Sequence, residues 1–333
     1  MTQPKNNRQY LSKARGFDII GDIHGYADAL ILLLDRLGYE QRNGCWAHPE
    51  RRAIFVGDLI DRGPKQRETC EIVRAMVEGD SADLCIGNHE LNAVAYSTLG
   101  ANGEYLRKHT PKNIDQHASF IKEYPHNSQA HEDVITWFKS LPLWLELETF
   151  DGARAHVIHA CWDQESILKL SPYLKEGERG YILGEDFNHE LFISNTEAFT
   201  LVERLLKGPE MRMPNDGYFV DKGGQKRRDC RIAWWKTGNT WEEVGVFGVS
   251  QDQIFGLELS DTLPRATEFT YQGEHPVFFG HYWMKQEYGL PSAKTACTDW
   301  SIAKKGHLAA YRWDGEQVLS MDKFASVSYE EIS

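Results

Sequence analysis

Five short apolar runs, "FDII" before Gly21, "RAIFV" before Gly57, "ADLCI" before Gly87, "RAHVI" before His159 and "PVFF" before Gly280, each stop at a polar cluster. Runs of this length, rich in Val, Ile and Phe, predict buried strands. Between the first and second, "ADALILLLDRLGY" keeps an apolar face at helical spacing and ends near Gly38; between the second and third, "RETCEIVRAMVEG" does the same and stops at Gly79. Strand, helix, strand, helix, strand predicts an α/β fold. Its polar clusters all fall at the C-terminal ends of strands, where such folds gather their ligand-binding loops.

Two long segments interrupt the pattern. Residues 97–140 are polar, His-containing and partly helical, and residues 162–275 separate the fourth and fifth clusters. Both are expected to be insertions capping or rimming the strand ends of one domain spanning residues 1–333. Near the C-terminus, "HLAAYRWDGEQVLSM" alternates apolar and polar residues around Asp314–Gly315, which predicts a hairpin joining the sheet.

Composition narrows the function classes. A net charge of −12 argues against a nucleic-acid polymer or an acidic membrane as partner, the local exception being "KGGQKRRDCR" at Lys222–Arg231. The first sixteen residues lack the apolar stretch of a secretory signal, and "ALILLL" at Ala29–Leu34 is too short to span a bilayer. A cytoplasmic protein with no membrane association is the expectation. Six scattered cysteines, without a CxxC pair, read as reduced, mostly buried thiols.

Taken singly, "GDIHG", "GDLIDRG" and "GNHE" are turns or helix caps. Together with the later clusters they supply Asp22, His24, Asp58, Asn88, His159 and His281, one or two from each of five strand ends. An oxygen-and-nitrogen set without thiolates suits Mn, Fe or Zn rather than Ca or Mg alone. A carboxylate among them can bridge two cations, and a pair of cations can activate a water at neutral pH and stabilise both oxygens of an in-line displacement.

The motifs "GDIHG", "GDLIDRG", "GNHE", His159 and "GH" at Gly280–His281 together resemble the calcineurin-like metallophosphoesterases, especially the serine/threonine protein phosphatase branch. The resemblance covers roughly residues 17–160 and 276–320. It implies a β-sheet sandwich flanked by helices, with the active site at the C-terminal ends of the strands. It also implies two metal ions: Asp22 and His24 on the first, Asp58 bridging, and Asn88, His159 and His281 completing the second. A metal-bound hydroxide would then attack phosphorus directly, with no phosphoenzyme.

Arg62, planar and permanently charged, is the first candidate phosphate clamp. By the same resemblance His89 protonates the leaving oxygen while Asp61 holds its ring. A second clamping arginine is expected among Arg227, Arg228 and Arg231, of which Arg231, just before "IAWW", is chosen. Two departures from the family pattern stand out. "HACW" replaces the usual glycines after His159, and "GHYW" lacks the second histidine of GHxH, so the first metal should bind more weakly. Cys161 reads as packing rather than as a nucleophile, and His109, His117, His126 and His131 as surface histidines.

The expected reaction is hydrolysis of phosphomonoesters, with a phosphorylated protein or nucleotide as partner and a phosphoprotein preferred. The rival is a symmetrical diadenosine tetraphosphate hydrolase, a group that shares these clusters and a Cys-x-Asp element like "CTDW" at Cys297–Trp300. Such an enzyme needs stacking surfaces and cations near the metals, for which "RRDCRIAWW" is the candidate segment. A non-catalytic binding module is the third reading, and the intact ligand set argues against it.

Overall fold

Each of the five apolar runs becomes a strand in the computed structural model, which describes residues 11–221, 224–246, 249–263, 270–284 and 289–333. The first ten residues and Lys222, on which parts of the sequence reading fall, lie outside these.

The chain runs β1 (Leu11–Ala14), β2 (Gly16–Ile20), α1 (Ala27–Leu37), a small hairpin of β3 (Glu40–Arg42) and β4 (Cys45–Ala47), β5 (Arg51–Phe55), α2 (Gln66–Glu78), β6 (Ala82–Leu84) and α3 (Asn88–Ser97). Then come α4 (Pro111–Glu123), α5 (Gln129–Lys139), β7 (Trp144–Thr149) and β8 (Arg154–Ile158). The long segment that follows carries α6 (Gln164–Leu170), β9 (Lys175–Gly177), β10 (Gly180–Ile182), α7 (Glu197–Lys207), β11 (Glu210–Arg212), β12 (Tyr218–Val220), β13 (Lys226–Arg227), β14 (Asp229–Ile232), α8 (Trp241–Val244), β15 (Gly245–Val246) and β16 (Ile254–Phe255). The chain closes with β17 (Val277–Phe279), β18 (Thr295–Cys297), β19 (Asp299–Trp300), β20 (His307–Trp313) and β21 (Phe324–Ser328).

Two sheets face each other, one in the order β19-β20-β2-β5-β6 with β21 on β20, the other β1-β7-β8-β17-β18. Strands β2, β5 and β6 are parallel, as are β8, β17 and β18. Alternation along β2 and β5 explains the layering. Phe17, Ile19, Ile54 and Val56 meet Leu147, Val157 and Phe278 between the sheets, while Ile20 and Phe55 face Leu30, Leu33 and Val73 of the helices outside. Each such side chain contributes about 1.5–3 kcal/mol by leaving water. Asp18 interrupts the apolar run and is wholly buried, yet it is fully paired: Arg51 Nε at 2.9 Å, Arg312 Nε at 3.1 Å and Tyr39 Oη at 3.1 Å all donate to it.

The segment 97–140 is anchored by its own caps: Thr110 Oγ1 accepts from Asn113 N with Pro111 at the first helical position of α4, and Ser128 caps α5. Phe120, Val134, Trp137 and Phe138 from these helices join the main core. In the segment 162–275 Trp234 and Trp235 also enter that core, while Met213, Cys230, Ile232, Trp241, Val244 and Leu263 form a small separate one. The C-terminal hairpin differs from expectation. Strand β20 does pair antiparallel with a return strand, but that strand starts only at Phe324. Trp313 Nε1 donates to Glu316 O and Leu319 N to Ala293 O, which draws the residues after Gly315 off the sheet. All six cysteines are free and buried, and among the described residues no helix is long and apolar enough to cross a membrane.

Candidate metal centre

The two sheets end side by side, and their C-terminal loops converge. Asp22 and His24 follow β2, Asp58 follows β5, Asn88 opens α3 just past β6, His159 follows β8 and His281 follows β17. These loops meet with almost no clearance. A Cβ on Gly87 would lie 2.3 Å from Asp58 Oδ1, and one on Gly280 would lie 2.0 Å from Asp22 Oδ1. Glycine before the polar residue is therefore a steric requirement of the convergence, not only a turn former.

Backbone strain concentrates here. His24, Asp58, Asp61, Arg62, His281 and Trp283 all adopt positive φ, between 50° and 77°. Non-glycine residues held this way cost about 1–3 kcal/mol each and persist where surrounding bonds over-determine them. Glu90 does much of the holding: Oε2 accepts Asp58 N at 2.8 Å and Gly87 N at 2.9 Å, and Oε1 accepts Leu59 N at 2.8 Å. The helix-start glutamate of "GNHE" thus ties together the loops after β5 and β6.

The donor set fits cations on three observations. First, His24 Nδ1 donates to Ile60 O and His159 Nδ1 to Val56 O, both at 2.8 Å, which turns each Nε2 inward. Second, His281 Nε2 is buried with no hydrogen-bond partner among the described residues, although the backbone N–H of His281 donates to both Asp22 oxygens at 3.1–3.2 Å. Third, the charges are unbalanced. Burial, then Asp299 and Asp58, push the Asp22 carboxyl well above its usual range. Burial would also raise Asp58, but His159 and His89 beside it hold it well below. Burial drives His24 down to about 3, and burial, then Arg231, lower His281, leaving both rings neutral with lone pairs to give.

Two trios have ligand atoms all within 4.8 Å of one another: Asp58, His159 and His281, and His24, Asp58 and His89. His159 Nε2 stands 3.4 Å from Asp58 Oδ1 and 3.0 Å from Asn88 Oδ1. A cation would take the place of the proton shared there.

His89 is held like His24 and His159 through Nδ1, but by a carboxylate rather than a backbone carbonyl. Its Nδ1 donates to Asp61 Oδ2 at 2.5 Å, its backbone N–H donates to Asp58 Oδ1 at 2.9 Å, and its Nε2 lies 3.9 Å from Asp58 Oδ2. Burial lowers its pKa, but Asp58 and Asp61 outweigh that and raise it. Asp61 is fixed in turn: its N–H donates to Gln66 Oε1 at 2.6 Å, and its Oδ1 accepts from His117 Nδ1 at 2.8 Å. His117 and His131, expected on the surface, are only 4% and 3% exposed, because the amphipathic faces of α4 and α5 turn them inward; His109 is exposed as expected.

Arg62 is exposed and lies over the ring of Trp283, 5.5 Å from its centroid, and Lys304 Nζ lies 3.0 Å from the same centroid. Trp283, two residues past His281, is itself 45% exposed, and its N–H donates to Asp299 Oδ2 at 2.8 Å. Asp299, buried and pushed up to about 6 by burial despite N–H bonds from Ser301 and Trp283, is the aspartate of "CTDW". It positions this rim, a role the sequence reading did not assign.

Of the three arginines proposed for the second clamp, Arg227 and Arg228 turn outward to Asp221 and Asp216 at 2.8 and 2.7 Å. Arg231 packs over Tyr282 at 5.6 Å with an Nη 3.7 Å from Glu210 Oε1, and its Nε is buried without a partner among the described residues. Trp234 and Trp235 are buried against Phe279, so the "AWW" segment offers no stacking surface. It builds a wall instead: Trp234 Nε1 donates to Ala160 O at 2.9 Å, and Ala160 and Cys161 N–H both donate to Leu205 O of α7. Cys161 is 3% exposed and burial pushes its thiol up, as packing requires.

The chain belongs to the calcineurin-like phosphoesterase family, whose model matches residues 17–195, and is a hydrolase of that class. It is 27% identical to the symmetrical bis(5'-nucleosyl)-tetraphosphatase of Vibrio parahaemolyticus over 91% of this chain and 97% of that protein. It is 45% identical to the asymmetrical bis(5'-nucleosyl)-tetraphosphatase PrpE of Bacillus velezensis over 48% of this chain. That match covers 62% of the relative, so this chain spans less than two thirds of its length. Among solved structures, a protein serine/threonine phosphatase from Saccharomyces cerevisiae aligns over 96% of this chain and 83% of its own at 13% identity, TM-score 0.45.

Proposed function

We propose that this enzyme is a bis(5'-nucleosyl)-tetraphosphatase that splits diadenosine tetraphosphate symmetrically into two diphosphates. The observation that carries the reading is the exposed indole of Trp283 with Arg62 and Lys304 against it, next to His281. A nucleotide substrate needs an aromatic face and several cations beside the reacting phosphoryl group, and this rim offers both. The relative named symmetrical matches along nearly the whole chain and supports that mode of cleavage. Support for a phosphoprotein, the substrate favoured by the motifs alone, is narrower. It comes from His89 and Asp61, because an oriented acid helps most when an alkyl oxygen must leave.

In this reading Asp22, His24, Asp58, Asn88, His159 and His281 hold two cations, which would supply charge neutralisation at the phosphoryl oxygens and an activated water. Arg62 and Arg231 grip phosphate oxygens, and His89 delivers a proton from Nε2 while Asp61 fixes its Nδ1–H.

Kinetics with three substrates test it. Diadenosine tetraphosphate is expected to exceed a phosphoserine peptide in kcat/KM by orders of magnitude and to yield only diphosphates. Trp283→Ala should raise KM for the dinucleotide roughly tenfold or more, the worth of one base–aromatic stack, and leave p-nitrophenyl phosphate unchanged. A higher kcat/KM for the peptide would reverse the assignment, and mono- plus triphosphate products would make the cleavage asymmetrical.

A further inference from the structure

We infer that His117, on α4 of the 97–140 insertion, is a positioning residue for proton delivery, acting through Asp61 on His89. The inference rests on the reading of His89 as the proton donor. Asp61 carries two imidazoles on one carboxylate: His89 Nδ1 on Oδ2 at 2.5 Å and His117 Nδ1 on Oδ1 at 2.8 Å. Both oxygens are thereby committed, so the carboxylate cannot turn about its own axis without breaking a buried bond.

The ring of His117 is held by Phe120, stacked at 4.7 Å, and by the tilted ring of Tyr96 at 5.0 Å. Its Nε2 is buried and has no partner among the described residues. A buried N–H left unbonded costs more than an idle lone pair, so Nε2 is the bare nitrogen and Nδ1 carries the proton given to Asp61. That choice keeps Asp61 an anion. Burial would raise the Asp61 carboxyl, yet these two N–H donors hold it well below its usual range, His117 contributing first. An immobile Asp61 in turn holds the Nδ1–H of His89 and aims its Nε2 at the metal-site side, where Asp58 lies 3.9 Å away. The insertion therefore does more than rim the site.

The test compares an alkyl phosphate with p-nitrophenyl phosphate, whose leaving group needs little protonation. In His117→Ala, kcat for the alkyl ester should fall about tenfold, the lower end of the loss when a partner orienting a working imidazole is removed. Its KM, and kcat for the nitrophenyl ester, should stay within about threefold of wild type on the same scale. His117→Asn places an amide N–H near the position of Nδ1 and should restore most of the alkyl rate. His117→Gln, whose amide reaches the position of Nε2, should not. The Asn and Gln pair decides the matter even where the alanine variant fails to fold. Equal losses on both esters, or equal rates for the Asn and Gln variants, would overturn the positioning role. If His89→Ala shows leaving-group dependence and the His117 variants show none, the inference alone falls. If His89→Ala shows none, the proton-donor reading falls and takes the inference with it.

Discussion

Asp58→Asn is expected to abolish turnover while the protein stays folded. Asp58 is the one residue common to both trios of candidate ligand atoms, and His24, His89 and His159 all have a ring nitrogen within 4 Å of its carboxylate. An amide offers one oxygen and no charge, so it cannot bridge two cations. Losing that bridge removes several kcal/mol of transition-state stabilisation, which is roughly three orders of magnitude in kcat/KM or more. The fold should survive because Glu90 grips the backbone N–H groups of Asp58 and Leu59, not the side chain. Circular dichroism and thermal melting would establish that survival. Full activity with normal metal content in this variant would contradict the bridging role.

His89→Ala is expected to lower kcat for an alkyl phosphate by roughly 10²–10⁴-fold, the usual worth of a positioned acid. The same change should cost much less with p-nitrophenyl phosphate. Diadenosine tetraphosphate belongs with the insensitive substrate, since a nucleoside diphosphate is itself a good leaving group. The His24, Asp58 and His89 trio could also share an ion. Bound metal in the variant therefore decides between the two roles: unchanged content supports proton delivery, and loss of one cation would make His89 a ligand instead.

The strands and the loops that carry the candidate ligands were legible because each is a local pattern. An apolar run, a glycine and a polar residue lie within a few positions, and parallel pairing then brings the loops of β2, β5 and β6 together. The His89 and Asp61 pair was legible through motif resemblance, not spacing. His117 was not, because its contact with Asp61 joins residues 56 apart and depends on how α4 is rotated. The tryptophans of "AWW" misled for a related reason: aromatic content alone does not distinguish a stacking surface from a buried wall, and Trp234 and Trp235 are the wall. Trp283, the exposed indole, stood in plain view in "GHYW", but its exposure follows from a left-handed backbone, φ 50°, pinned by distant Asp299. The alternation after Gly315 imitated a strand that Leu319, bonded to Ala293, does not form.

The most direct measurement is the number of cations bound per chain. Protein stripped with chelator and reconstituted with Mn²⁺ would be analysed by elemental mass spectrometry, with activity followed on the same samples. Two ions per chain are predicted for the wild type. The first should be lost more readily on dilution, because the site of Asp22 and His24 lacks the further histidine, and His281→Ala should hold one fewer ion. Full activity in protein carrying a single ion, or none, would contradict the two-cation centre on which the account stands.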